Sequence, residues 1–182
     1  MSASGNVLLV TGTPGIGKTT IIRNVVRSLP DLHMSGFYTE EIRINTVRRG
    51  FELITLQGKR FVIAHIDIDS AYRVGKYSVD VAAIDTSVTL ALSDDDTSDV
   101  FIVDEIGKME CFSDLFVQRM SSLLDVKKPV VATIAQKGGE FISAVKNRAD
   151  VELWEVTKAN RDDMPGMVVS WVRDKIKSTA SN

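Results

Sequence analysis

Gly12-Thr13-Pro14-Gly15-Ile16-Gly17-Lys18-Thr19 is the stretch on which the fold of this chain turns. It fits G-x-x-x-x-G-K-[ST], follows the apolar run Val7-Leu8-Leu9-Val10 and precedes a helix-like segment that begins at Thr20. A loop that cradles phosphate must lie between a buried strand and a helix N-terminus, so that successive backbone N–H groups and the positive helix end converge on the anion. This stretch has that placement; a glycine-rich turn without a ligand is the competing reading. As a P-loop, it supplies Gly12, Thr13, Pro14, Gly15, Ile16, Gly17, Lys18, Thr19 and Thr20 to a nucleotide. Lys18 then contacts the β- and γ-oxygens, and the Thr19 hydroxyl helps to hold Mg²⁺.

Outward from the loop, Ile21, Ile22, Val25, Val26 and Leu29 recur at helical spacing until Pro30-Asp31. Residues 36–42 and 48–56 read as strands joined by a turn at Asn45-Thr46, and Gln57-Gly58 leads to a further strand at 61–65. Residues 36–65 therefore predict an antiparallel meander. Residues 66–80 lack clear periodicity and read as a loop leading to a short strand near 77–81, and Ala82–Leu92 reads as a helix. Val100-Phe101-Ile102-Val103 has the unbroken apolar character of a strand buried on both faces, and it ends in Asp104-Glu105. A helix through Leu115–Leu124, a strand at 129–134, a short helix at 140–147 and a strand at 151–156 follow. A closing amphipathic helix at 163–176 puts Met167, Val168, Trp171, Val172 and Ile176 on its apolar side, and 178–182 should fray. This alternation predicts an α/β fold with a mostly parallel sheet, helices on both faces and the ligand at the carboxyl ends of the strands.

At 182 residues the chain suits one domain over residues 1–182, and 44% hydrophobic with 25% charged residues is ordinary for a globular protein. No apolar run is long enough to span a bilayer, and the first residues do not resemble a secretory signal, so a cytosolic or nuclear location is expected. One cysteine, Cys111, and two histidines leave no basis for a disulfide or a Cys/His zinc site; Cys111 reads as a core residue. A net charge of −2 argues against a nonspecific nucleic-acid binder. Acidic residues crowd the middle of the chain, from Asp85 through Asp94-Asp95-Asp96 and Asp99 to Glu110 and Asp114. Most should be solvated loop charges, the triple aspartate included, because adjacent carboxylates on a polar run do not converge on one ion. Asp104 and Glu105 are the two exceptions.

Asp104, at the end of an apolar strand, has the position of a Walker B aspartate that completes the Mg²⁺ site with Thr19. Glu105, directly after it, can orient a water in line with the γ-phosphorus and accept its proton, which favours hydrolysis over binding alone; a surface or salt-bridged glutamate is the alternative. Thr133, closing the neighbouring strand, can hydrogen-bond the same water or the γ-phosphate, or simply end its strand. Base recognition falls to the loop after the last strand, where Thr157, Asn160 and Arg161 offer amide donors and a stacking guanidinium; a helix-capping loop explains the same residues. Arg43, Arg73 and Arg148 are candidates for neutralising transition-state charge, unranked by sequence.

Gly12–Thr20 together with Ile102-Val103-Asp104-Glu105-Ile106-Gly107-Lys108-Met109-Glu110 resembles the small P-loop nucleoside-triphosphatases typified by the human cancer-related nucleoside-triphosphatase. Gly36–Glu41, Arg73–Tyr77 and Val156–Arg161 follow in the same order as their counterparts there. The resemblance implies a RecA-like domain that hydrolyses nucleoside triphosphates, ATP and GTP among them, to diphosphate and phosphate with broad base tolerance, slow turnover and Mg²⁺ dependence. The sequence departs from that pattern in a shorter segment between Asp80 and Val100 and in Ala135, where a histidine or proline is expected after Thr133-Ile134. Two other functions stay open at this point. A nucleotide or nucleoside kinase would grip an acceptor phosphate with Arg43, Arg48, Arg49, Arg73 and Lys76, and a nucleotide-dependent switch would act on a protein partner that the sequence does not specify.

Overall fold

The computed structural model describes residues 5–93 and 97–180; the Asp94-Asp95-Asp96 run lies outside them. The elements in chain order are β1 (Val7–Thr11), α1 (Lys18–Arg27), β2 (Met34–Ile44), β3 (Val47–Thr55), β4 (Arg60–His65), β5 (Arg73–Val74), β6 (Tyr77–Val79), α2 (Val81–Ala91), β7 (Val100–Ile106), α3 (Asp114–Leu123), β8 (Val130–Ile134), α4 (Glu140–Lys146), β9 (Val151–Glu155) and α5 (Met164–Ala180). A 3₁₀ turn, Glu110–Phe112, follows β7.

The strands form one sheet in the order β5-β6-β4-β3-β2-β7-β8-β1-β9. From β2 to β9 all neighbours are parallel, and from β2 outward to β5 they are antiparallel. This is the expected α/β architecture, a parallel RecA-like sheet extended on one side by a meander. Alternation along β1 divides the core in two. Val7 and Leu9 pack with Ile84 and Val88 of α2, Phe116 and Met120 of α3, and Ile142 and Val145 of α4. Leu8 and Val10 pack with Ile21, Ile22 and Val25 of α1 and with Val168, Trp171 and Val172 of α5. Helices thus cover both faces, and none among the described residues is long and apolar enough to cross a membrane.

Local chemistry explains most boundaries. Asn45 and Thr46 both have positive φ, 47° and 68°, the conformation that a tight hairpin between β2 and β3 requires. Asp80 caps α2 by accepting from the Ala83 N–H at 2.9 Å, and Ser113 caps α3 by accepting from the Phe116 N–H at 2.9 Å. Gly36 sits where β2 meets β7. Its φ is +135°, and a Cβ there would lie 1.7 Å from the Ile102 carbonyl oxygen, so only glycine lets the meander join the parallel sheet.

Five expectations need correction. β7 runs through Asp104 and Glu105 to Ile106, one residue beyond the expected end. Arg73–Val74 is a strand paired with β6, too short to carry a periodicity of its own. Met167 is 46% exposed, because Val168, Trp171 and Val172 already fill the contact with the sheet. Ser178–Ala180 continue α5, and the Ser178 and Thr179 hydroxyls donate to carbonyls one turn back. Cys111 is only partly buried and packs against the rim of the core.

Candidate active site

The P-loop closes on itself before α1 begins. The Ile16 N–H donates to the Thr13 carbonyl at 3.1 Å, and Gly15 and Gly17 take φ of +80° and +114°. A Cβ at either glycine would meet open space, so the backbone angle alone demands glycine there. Gly17 is the N-cap of α1, and no side chain caps that helix. In α2 and α3 a carboxylate or hydroxyl occupies that place. In α1 the first-turn N–H groups and the positive end of the helix remain available to an anion.

The carboxyl end of β7 faces this loop. Asp104 is fully buried and collects donors from three elements. The Thr19 hydroxyl of α1 donates to Oδ2 at 2.7 Å, the Thr133 hydroxyl of β8 to Oδ1 at 2.5 Å, and the Thr39 N–H of β2 to Oδ2 at 3.4 Å. Burial pushes the Asp104 carboxyl up from the usual carboxylate range, and these hydrogen bonds and the Lys18 charge oppose that rise. Lys18 donates to the Gly12 carbonyl at 3.2 Å and lies 3.4 Å from Glu105 Oε2. The Glu105 carboxyl is also raised, first by burial and further by Asp104, against the pull of Lys18.

Lys18, Thr19, Thr39 and Glu105 line a cleft of about 1110 Å³, with Asp104 buried behind Thr19, that runs from Gly12 past Glu105 and Glu110 to Arg48, Phe51 and Tyr77 of the meander. A smaller cavity of about 380 Å³ opens on the other side of Gly15 and Gly17, between Thr20, Asn24 and Arg161. The donor set at Asp104 and Thr19 fits Mg²⁺. One buried carboxylate and one hydroxyl stand side by side at a phosphate loop, and no group of three or more His, Cys, Asp or Glu side chains among the described residues makes an all-protein cage. Mg²⁺ is held in this manner, by one or two side chains, waters and substrate phosphates.

The structure brings together Gly12, Gly15, Gly17, Lys18, Thr19, Thr20, Asp104 and Glu105, with Pro14 on the cleft rim, Ile16 in the smaller cavity and Thr13 closing the loop. Thr133 sits differently from expectation. It is fully buried, and its hydroxyl is directed at Asp104 instead of lining the cleft. In the loop after β9, Asn160 accepts from the Thr157 N–H at 2.8 Å and donates to the Glu155 carbonyl at 2.9 Å, so its amide shapes the loop, and Arg161 alone of the three lines a cavity.

Arg43, Arg73 and Arg148 do not line the cleft; Arg43 pairs with Glu41, and Arg148 with Asp125 and Asp150. The lining arginines are Arg23, paired with Glu40 at 2.5 Å, and Arg48, held by Glu41 at 2.7 Å and by the Tyr77 hydroxyl at 2.8 Å. Of the set read as an acceptor-phosphate grip, Arg43, Arg48 and Arg49 already have carboxylate partners. Glu110 is the residue that sequence reasoning missed. Expected among solvated loop charges, it is 6% exposed and lines the cleft. The only sequence signal for it was the Asp104–Glu110 block, whose apolar positions Ile106 and Met109 hold that segment against the core.

Comparison with known proteins gives one consistent result. The model of the family described as NTPase matches residues 7–169. The nucleoside-triphosphatase THEP1 of Thermotoga maritima is 40% identical over 167 residues, covering 90% of this chain and 93% of the relative. The human cancer-related nucleoside-triphosphatase is 33% identical over 186 residues, covering 93% and 98%. Two solved structures align over nearly the whole chain. THEP1 from the hyperthermophile Aquifex aeolicus gives a TM-score of 0.76 at 32% identity, covering 91% of this chain and 98% of its own. The solution structure of the human protein gives 0.80 at 33% identity, covering 92% and 97%.

Proposed function

The chain belongs to the NTPase family, and from that premise we propose that it is an Mg²⁺-dependent hydrolase of nucleoside triphosphates, producing diphosphate and phosphate slowly and with broad base tolerance. The observation that carries this reading is the meeting of Lys18 with Glu105 at 3.4 Å beside the Thr19–Asp104 contact at 2.7 Å. A phosphate grip, a metal-binding pair and a carboxylate base therefore share one cleft.

In the proposed reaction the N–H groups of the P-loop and Lys18 bind the β- and γ-phosphates. Thr19 and Asp104 would hold Mg²⁺, which when bound neutralises charge on those oxygens. Thr133 positions Asp104 by fixing one of its oxygens. Glu105 accepts a proton from the attacking water as the water oxygen bonds to the γ-phosphorus, and the bond from phosphorus to the β–γ bridging oxygen breaks. A raised carboxyl suits this task, because a base works best with a pKa closer to the working pH. Two observations support the finer claims. Asn160 has its amide held to backbone through both its oxygen and its nitrogen, which fixes it in its own loop and favours tolerance. Arg23 and Arg48 are tied to Glu40 and Glu41, which leaves transition-state charge less well neutralised and favours slow turnover. We place the protein in the cytosol as a single domain whose ligands are ATP, GTP and related nucleotides.

Phosphate release from ATP and GTP by the purified protein, with and without Mg²⁺, tests the reading. Lys18→Ala should abolish release. Glu105→Gln should lower kcat by roughly 10²–10⁴-fold while nucleotide binding persists. Hydrolysis unchanged in Glu105→Gln would refute the base assignment.

A further inference from the structure

Glu110 has a place that packing does not explain. Its side chain is more than nine-tenths buried, yet it lines the cleft beside Glu105 and Lys108. The backbone N–H groups of Gly107 and Glu110 itself polarise its carboxyl, and no side chain among the described residues pairs with it. Gly107 separates the two glutamates. A Cβ on Gly107 would meet Glu110 Oε2 at 2.7 Å and Glu105 Oε1 at 3.3 Å, so both carboxyls crowd the same small space over that residue. Two like charges so close in a largely buried site are unfavourable, and one of the pair stays protonated.

We propose that Glu110 is a positioning residue for hydrolysis: its carboxyl donates a hydrogen bond to Glu105, directly or through one water, and holds that carboxylate toward the γ-phosphate end of the cleft. The inference rests on the hydrolytic reading above. Glu110 is the member placed to keep the proton: it is 6% exposed with no cation among the described residues paired with it, and burial lifts it to about 8, whereas Glu105 lies 3.4 Å from the Lys18 ammonium. A neutral carboxyl is a donor that adds no negative charge to a cleft that must admit a triphosphate. Only the side-chain donor is needed, so an amide of the same shape should serve.

The test compares steady-state ATP hydrolysis by the full-length wild type, Glu110→Gln, Glu110→Leu and Glu110→Asp, with the folded state of each checked by thermal melting and Glu105→Gln as control. Glu110→Gln should keep kcat within about threefold of wild type. Glu110→Leu, of similar volume but without a donor, and Glu110→Asp, which withdraws the carboxyl by one methylene, should each lower kcat by about tenfold or more with KM within about twofold. Either of the last two suffices if the other does not fold. Wild-type kcat in the Leu or Asp variant, a Gln variant as impaired as the Leu variant, or a loss confined to KM would overturn the proposal. Failure of the wild type to hydrolyse, or an active Glu105→Gln, would instead overturn the hydrolytic reading itself.

Discussion

Replacing Glu110 with glutamine should remove a defined part of the pH dependence of stability. The carboxyl titrates at about 8 in the folded protein, against a reference value of 4.5, because burial disfavours its charge. Between those values the folded state holds a proton that the unfolded chain has released. The stabilisation is therefore fully present below the unfolded value and is lost as pH rises through the folded one. At about 1.4 kcal/mol per unit of pKa difference, the wild type should lose about 3–4 kcal/mol from this group between pH 5 and pH 8. Glutamine keeps the shape and cannot ionise, so the variant loses none of that share. Asp104 and Glu105 are raised as well and give a slope of the same sign that the substitution leaves in place. Urea unfolding of both proteins at several pH values, without nucleotide and with chelator, isolates the difference. The gap in favour of Glu110→Gln should widen by about 3–4 kcal/mol from pH 5 to pH 8, or roughly 10 °C in Tm for a chain of this length. A gap independent of pH would show that Glu110 is already ionised in the folded protein and refute the reasoning.

Gly36→Ala should cost more than about 3 kcal/mol or prevent folding, since a Cβ would lie 1.7 Å from the Ile102 carbonyl oxygen at a backbone angle of +135°; urea midpoints or soluble yield would show it. Thr133→Val removes a hydroxyl from buried Asp104 and should cost about 1–3 kcal/mol. The same change should raise the Mg²⁺ concentration needed for half-maximal hydrolysis, more at pH 6 than at pH 8, because Asp104 loses a bond that opposes its protonation. Asp80→Ala, which uncaps α2, should lower stability by about 1 kcal/mol and leave ATP turnover unchanged.

Most of the fold was legible because its signals are local. The strand–loop–helix of the P-loop, the apolar run of Val100–Val103 and the alternation of strands and helices each lie within a short window of sequence. Asn45 and Gly58 announced turns that the meander uses at positive φ, whereas the turn at Gly75 lay inside a stretch without periodicity. What escaped depends on contacts between distant parts of the chain. Thr133 reads as a polar strand end, and only the placing of β8 beside β7 shows that its hydroxyl is spent on Asp104. Asn160 has the chemistry of a base reader, but a short loop turned that amide onto its own backbone. Arg148 and Arg43 look like free cations in sequence, whereas folding brings each to carboxylates away from the cleft. Met167 fits the helical period, yet α5 packs through a narrower stripe than the period alone allows.

The seven residues from Asp104 to Glu110 break the rule that carboxylates stay solvated, and they break it three times. Asp104, Glu105 and Glu110 are all raised first by burial, which means that each lowers the stability of the folded chain near neutral pH. The segment does not need these charges for packing: Val103 and Ile106 anchor it in one core cluster and Ile102 in the other, and an apolar or amide side chain at Glu110 would fill the same space. Asp104 recovers part of its cost through three donors from three elements, and Glu105 through Lys18. Glu110 recovers least, having only two backbone N–H groups. Structural ion pairs offset their burial within the protein; a carboxyl that does not is explained more simply by a demand from the cleft it faces. The same physics that makes Glu110 a weakness in the fold therefore supports the role proposed for it beside Glu105.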